Sequence, residues 1–362
     1  MSMRKNLIIM TMSMLIFVGQ GCVSLGGNKV VTEGSAGVFV STDKGENWTP
    51  LTALPEADGV KSIATANVYR IQEDPQDPGA MYLLTRDQGM YYTYNEGRVW
   101  QRPVEPLLQS GFIYSVAVHP KDKCTIFATN GNQVFRSNDC NRSYEEVYRE
   151  SRSGVTIQSL KFENGEPFKL LMAENNGDLL QSMDSGKSWT VINRFGSQIV
   201  HIEADKLKSG QMYVITRDQG LFRSTDGGQT WVSLVEKLKE YSGALEYRGF
   251  VLHPTKANVI YWLSTYGILY STNAGDSWQP IDLITPPGSV NIYSFAVNPK
   301  NDQEMYYTAT LKDFSRSTFY RSIDGGKNWT TKKLPSGQIP ITLKPHLEKD
   351  YLYLGFAIPP KK

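Results

Sequence analysis

From residue 37 onward the chain alternates short apolar runs with polar turns, and the alternation repeats. A first run ends at a proline turn: residues 69–74 before Pro75, 114–119 before Pro120, 249–253 before Pro254 and 293–298 before Pro299. A second run is almost continuously apolar, as at 81–84 and 212–215. A turn bearing Gly, Asn or Asp leads to a third run, such as 89–92 or 220–223, and a polar segment then leads to a fourth that contains Trp. Short runs bounded by turn formers predict β-strands. Four strands per unit, with units 42–52 residues apart, predict the blades of a β-propeller.

The polar segment between the third and fourth strands is itself a repeat of the form Ser-x-Asp-x-Gly-x-x-Trp, and such repeats decide a fold. Four copies are complete, with Asp43 and Trp48, Asp184 and Trp189, Asp226 and Trp231, and Asp324 and Trp329. A fifth has Asn273 before Trp278; two worn copies carry Asn95 with Trp100, and Asp139 with Tyr144. A carboxylate at the third position accepts backbone N–H groups and closes a tight turn. Glycine at the fifth tolerates positive φ, for which Asn141 is the best substitute. The Trp ring is buried beneath the turn. These residues are therefore structural. The segments resemble the Asp-box, or bacterial neuraminidase, repeat.

Seven boxes predict an all-β fold, a seven-bladed β-propeller spanning residues 37–362. The first box, 37–48, lacks a first and second strand before it, whereas 341–345 and 351–356 are two strands without a box. Joined, they form one blade closed by strands from both termini, which removes two exposed sheet edges.

The N-terminus reads as a processing signal. Arg4 and Lys5 precede an apolar run, 7–18, too short to span a bilayer as a helix. Gly19, Gln20, Gly21 and Cys22 follow and resemble the lipobox of bacterial lipoproteins, with Gly19 where Leu is usual. That resemblance implies a signal peptide at 1–21, lipidation of Cys22 with anchoring to the bilayer by its acyl chains, and export. Residues 22–36 then form a flexible tether. The alternative is an ordinary secretory signal. Without its leader the chain has 36 acids and as many bases. That balance argues against a nucleic-acid partner, which requires a basic surface.

In a propeller the turns between second and third strands lie on the face opposite the boxes. One turn sequence occurs there twice, three repeats apart: Arg86, Asp87 and Gln88, and Arg217, Asp218 and Gln219. These six are the ligand-binding candidates, as a ring around the channel mouth; good turn chemistry inherited by duplication is the other reading. Tyr69, Tyr114, His201, Arg248 and Tyr293 open first strands and add a lining. Cys124 opens a second strand and Cys140 follows the third strand of the same blade, a disulfide candidate in an exported chain. A turn near Gly131 sets 124 opposite 138; two free thiols remain the alternative.

Sialidases share the boxes, but Tyr69-Arg70-Ile71-Gln72 only approaches their Arg-Ile-Pro motif and reads as an ordinary inner strand. Xyloglucanases place two carboxylates across a cleft between two such propellers. Here Asp87, Glu174, Asp218 and Asp313 are scattered rim acids. His119, His201, His253 and His346 fall in separate blades, so no metal site is expected, nor any cofactor or catalytic residue. The blade grammar resembles photosystem II assembly-factor propellers and their homologues, and sortilin-type receptor propellers share the blade unit. These resemblances imply recognition of a protein or peptide partner; a glycan-binding or glycoside-hydrolase propeller is the alternative.

Overall fold

The computed structural model describes residues 34–359. The predicted leader 1–21, Cys22 and most of the tether at 22–36 lie outside the described residues. Seven antiparallel sheets form the blades. Blade 1 has the order Thr49–Pro50, Gly37–Ser41, Leu352–Ala357, Ile339–Pro345, so both ends of the chain build it. Phe39 lies opposite Leu354, within five registered pairs between the strands from the two termini.

Blade 2 comprises Val68–Glu73, Met81–Thr85 and Met90–Thr93, with its fourth strand reduced to a bridge between Tyr92 and Gln101. A hairpin, Ala53–Glu56 with Gly59–Ser62, covers that weak outer edge, where Trp100 N–H donates to the Ala53 carbonyl at 2.8 Å. Blade 3 is Ser115–His119, Asp122–Thr129, Gln133–Ser137 and Glu145–Arg149; blade 4 is Ile157–Phe162, Leu170–Glu174, Asp178–Ser182 and Thr190–Arg194. Blade 5 is Ile199–Ala204, Met212–Thr216, Gly220–Ser224 and Val232–Ser233; blade 6 is Tyr247–Leu252, Ile260–Ser264, Ile268–Ser271 and Gln279–Pro280. Blade 7 is Val290–Asn298, Asn301–Leu311, Ser317–Ser322 and Thr330–Lys332.

First strands touch the first strands of neighbouring blades. Ile157–Phe162 meets Ser115–His119 and Ile199–Ala204, while Ile339–Pro345 meets Val290–Asn298 and Val68–Glu73. They therefore line the axis. Second strands such as Met81–Thr85 and Met212–Thr216 are buried at every residue, because a neighbouring blade covers each face. That explains their unbroken apolar sequence. Outer strands such as Val232–Ser233 are exposed. Among the described residues there are seven apolar clusters, one for each interface between adjacent blades.

The boxes pin the third strand to the fourth. In blade 5 the Ser224 hydroxyl donates to Asp226 Oδ1 and accepts from Gly228 N–H, both at 2.8 Å. Asp226 Oδ1 accepts Thr230 N–H at 2.9 Å. At Gly45, φ is +90° and a Cβ would meet Phe319 at 2.4 Å, so this turn requires glycine. In the worn third box Asn141 takes the equivalent position with φ +67°.

Candidate functional site

In six blades the first strand carries a bulge within its first four residues. Pairing skips from Val68 to Arg70, Ile157 to Ser159, Ile199 to His201, Tyr247 to Gly249, Ile292 to Ser294 and Pro340 to Thr342. A bulge re-aims a side chain, and the residues skipped include Tyr69, Arg248 and Tyr293. First strands begin on the face opposite the boxes, so these residues gather at that end of the channel.

On blades 2 and 3 one of them, Tyr69, joins residues of the neighbouring turn and link in a patch. The Tyr69 ring meets Phe112 edge-on at 4.7 Å, and Phe112 stacks on Tyr114 at 4.2 Å. All three rings are partly exposed. The Arg86 guanidinium lies 5.1 Å from the Tyr69 centroid and 5.6 Å from Phe112, and Arg70 lies 5.2 Å from Tyr69. Such contacts are worth about 0.5–1 kcal/mol at exposed sites. Among the described residues neither guanidinium has a carboxylate partner.

Below the patch a polar chain crosses the channel. Arg70 Nη1–H donates from blade 2 to His201 Nδ1 on blade 5 at 2.9 Å. An arginine only donates, so Nδ1 is the acceptor and Nε2 carries the proton. That proton points to Glu203 at 2.8 Å, and Glu203 accepts from Lys161 of blade 4 at 2.6 Å. Burial, reinforced by the Arg70 charge, lowers the His201 pKa to about 4 and keeps the ring neutral. Burial pushes the Glu203 carboxyl up, but Lys161 and His201 hold it well below the usual range.

The two copies of the repeated turn differ in surroundings. In the first, Gln88 is tied by its N–H to Thr85 Oγ1 at 2.9 Å and accepts from Tyr91 OH at 3.1 Å, leaving Arg86 on the aromatic rings. Asp87 is exposed beside it. In the second, Arg217, Asp218 and Gln219 are all exposed, and among the described residues no ring packs on Arg217. Two turns on blades 2 and 5 do not make a ring around the mouth.

Glu174 is not a rim acid. It is 0% exposed, beneath Arg152. His119, His253 and His346 cap turns, their Nδ1 atoms accepting the N–H of the residue two on at 3.0–3.2 Å. Asp74, Asp205 and Asn298 do the same with side-chain oxygens, so histidine here stands in for Asp or Asn. Sequence reading missed Arg70 and Phe112 as members of the patch, Lys161 and Glu203 as members of the chain below it, and Arg152 over Glu174. The one available signal was Phe112 two residues before Tyr114.

Cys124 and Cys140 are joined in a disulfide with Cα atoms 4.0 Å apart. Register pairs Ser137 with Ile126, one step from the expected pairing of 124 with 138, because the turn runs over residues 130–133. Among the described residues there is no group of side chains suited to a metal ion, and no helix long and apolar enough to cross a membrane.

Residues 36–161 and 177–282 match the profile of the family described as sortilin, neurotensin receptor 3. A xyloglucanase from a Paenibacillus species is 24% identical over 316 residues, which is 79% of this chain and 28% of the relative. Xyloglucanase Xgh74A of Acetivibrio thermocellus is 24% identical over 321 residues, 78% of this chain and 34% of its own. The chain thus spans about a third or less of these curated relatives. Among solved structures, YCF48 from Cyanidioschyzon merolae superposes with TM-score 0.61 at 14% identity, covering 80% of this chain and 95% of that one. A structure of YCF48 bound to D1 peptide gives 0.60 at 17%, covering 81% and 94%. The GH74 xyloglucanase from Xanthomonas campestris gives 0.60 at 19%, covering 81% and 51%. At such identities the structural likeness is one of fold. The profile match covers more than half of the chain, which belongs to the sortilin (Vps10) family.

Proposed function

We propose that this chain is a lipid-anchored, non-catalytic propeller that docks a polypeptide segment at the channel mouth of blades 2 and 3, on the outer side of the cytoplasmic membrane. The observation that carries this reading is the pair of guanidiniums over Tyr69, unpartnered by carboxylates and set beside the half-open rings of Phe112 and Tyr114. A guanidinium offers a carboxylate two parallel donors, and aromatic faces accept apolar side chains. A polypeptide supplies both groups within a few residues. The peptide-bound YCF48 propeller, alike in fold, supports this reading.

A glycan is the second reading, favoured by the xyloglucanase relatives and by the stacked rings, on which a sugar can also lie. Titrating the full chain with tyrosine-bearing acidic decapeptides and with xyloglucan oligosaccharides separates the two. Peptide binding lost in Arg86→Ala supports docking. Saturable sugar binding with turnover, and no peptide binding, overturns it. The anchor is tested separately: palmitate should label the wild type through Cys22, and Cys22→Ser should release it from membranes.

A further inference from the structure

The link between blades 3 and 4, residues 150–156, is held at both ends by neighbouring turns. Glu150 N–H donates to the Asn132 carbonyl at 2.8 Å and Ile157 N–H to the Gly131 carbonyl at 2.7 Å. On the blade 4 side Asn175 N–H donates to the Thr156 carbonyl at 3.0 Å, and Thr156 N–H returns to Asn175 Oδ1 at 2.8 Å. A Cβ on Gly131 would meet Tyr114 at 2.6 Å and Thr156 at 2.9 Å, so link, turn and Tyr114 close on one point. The position of the link therefore sets one wall of the aromatic patch.

Arg152 occupies the middle of this link. Its guanidinium donates to Glu150 at 2.6 and 2.9 Å, to both oxygens of Glu174 at 2.6 and 2.7 Å, and to Asp178 at 3.2 Å. Glu150 and Glu174 are 2% and 0% exposed as side chains, whereas Arg152 is 44% exposed. Arg194, largely in solvent, reaches Asp178 at 3.2 Å. Tyr148 OH donates to Glu150 at 2.9 Å, and Glu146 is kept aside by Arg149 and Gln133. Three carboxylates thus face two guanidiniums, so the charges balance only when one carboxyl holds a proton.

We infer that Arg152, gripped by Glu150 and Glu174, is a proton-governed clasp that fixes the link against Tyr114 and so sets the shape of the docking face. Glu174 is the carboxyl that keeps the proton. Its burial, then its hydrogen bond with Glu150, raises its pKa, and Arg152 only partly opposes this. A raised acid pKa means that the closed link is favoured while Glu174 is protonated and weakens as pH rises through that pKa. Arg152 and Glu174 are positioning residues in this scheme. Their part in docking rests on the functional reading above; the clasp itself does not.

Hydrogen exchange of the full chain without ligand tests the clasp. Protection of amides 151–157, with the intrinsic rate divided out, should fall about tenfold between about pH 5 and about pH 8, the equivalent of one pKa unit. Protection of the blade 5 box turn, residues 226–230, serves as the internal reference. Glu174→Gln should be protected and flat across the range, Arg152→Ala exposed throughout, and Arg152→Lys intermediate, because an ammonium lacks the two-pronged donor set. A wild-type profile that parallels the reference turn overturns the clasp, even if the variants do not fold. So does Glu174→Gln retaining the wild-type slope. A positive exchange result without peptide binding sinks only the docking reading.

Discussion

Arg70 shows how one side chain changes the meaning of a strand. It reaches a histidine 131 positions away in sequence because the ring brings blades 2 and 5 across one channel. Protonating His201 would turn its acceptor into a donor facing a guanidinium, and its pKa is lowered to about 4 to match. Burial also lowers the pKa of the turn-capping His119, His253 and His346. A depressed histidine pKa means that the unfolded chain binds more protons. This stability is complete above the ordinary pKa of about 6.5 and is lost as pH falls towards the folded value. Melting temperature should therefore drop from pH 6.5 towards about 4, and more shallowly in His201→Gln; equal slopes in the two proteins would exclude His201 as a contributor. Arg86→Ala should abolish peptide docking while lowering stability by no more than about 1–2 kcal/mol, the worth of its two ring contacts. A larger loss of stability with docking retained would mark Arg86 as a structural residue instead.

At the level of the blade, the boxes vary while the turn persists. In blade 3, Tyr144 replaces Trp and hydrogen-bonds Asn141, and Asn141 donates to Tyr94 OH of the neighbouring box at 2.7 Å. Tyr94 in turn donates to the Cys140 carbonyl at 3.1 Å. The worn box is thus braced from blade 2 and bridged to its own second strand. Intact mass after alkylation without reductant should show no reactive thiol at Cys124 or Cys140. Cys124→Ser should cost about 3 kcal/mol in urea unfolding, the value for closing a loop of about 15 residues; two alkylated thiols in the native protein would rule the bridge out. The boxes were legible because their chemistry is local, every partner of Asp226 lying within four residues. The aromatic patch was not. Its partners come from different blades, and the bulges that aim Tyr69 and Arg248 leave no mark in an alternating pattern. Glu174 ends an apolar run before a turn, which reads as a surface acid until the link from blade 3 supplies Arg152.

For the whole molecule, seven blades require seven interfaces, and each apolar cluster belongs to two blades. The cluster joining blades 7 and 1 combines Phe39 with Leu354 and Phe356, from opposite ends of the chain. Deleting residues 352–362 should therefore abolish cooperative unfolding rather than lower it by one blade's share. A truncated chain with an unchanged melting transition would show that the ring does not depend on this closure. The same closure has a mechanical side. Gly37–Ser41 is the first strand among the described residues, so tension from the proposed anchor would enter the ring there. It runs antiparallel between Thr49–Pro50 and Leu352–Ala357. Its hydrogen bonds lie across the line of pull. They are sheared together rather than peeled singly, so a propeller hauled on by its partner would grip its own ends and hold.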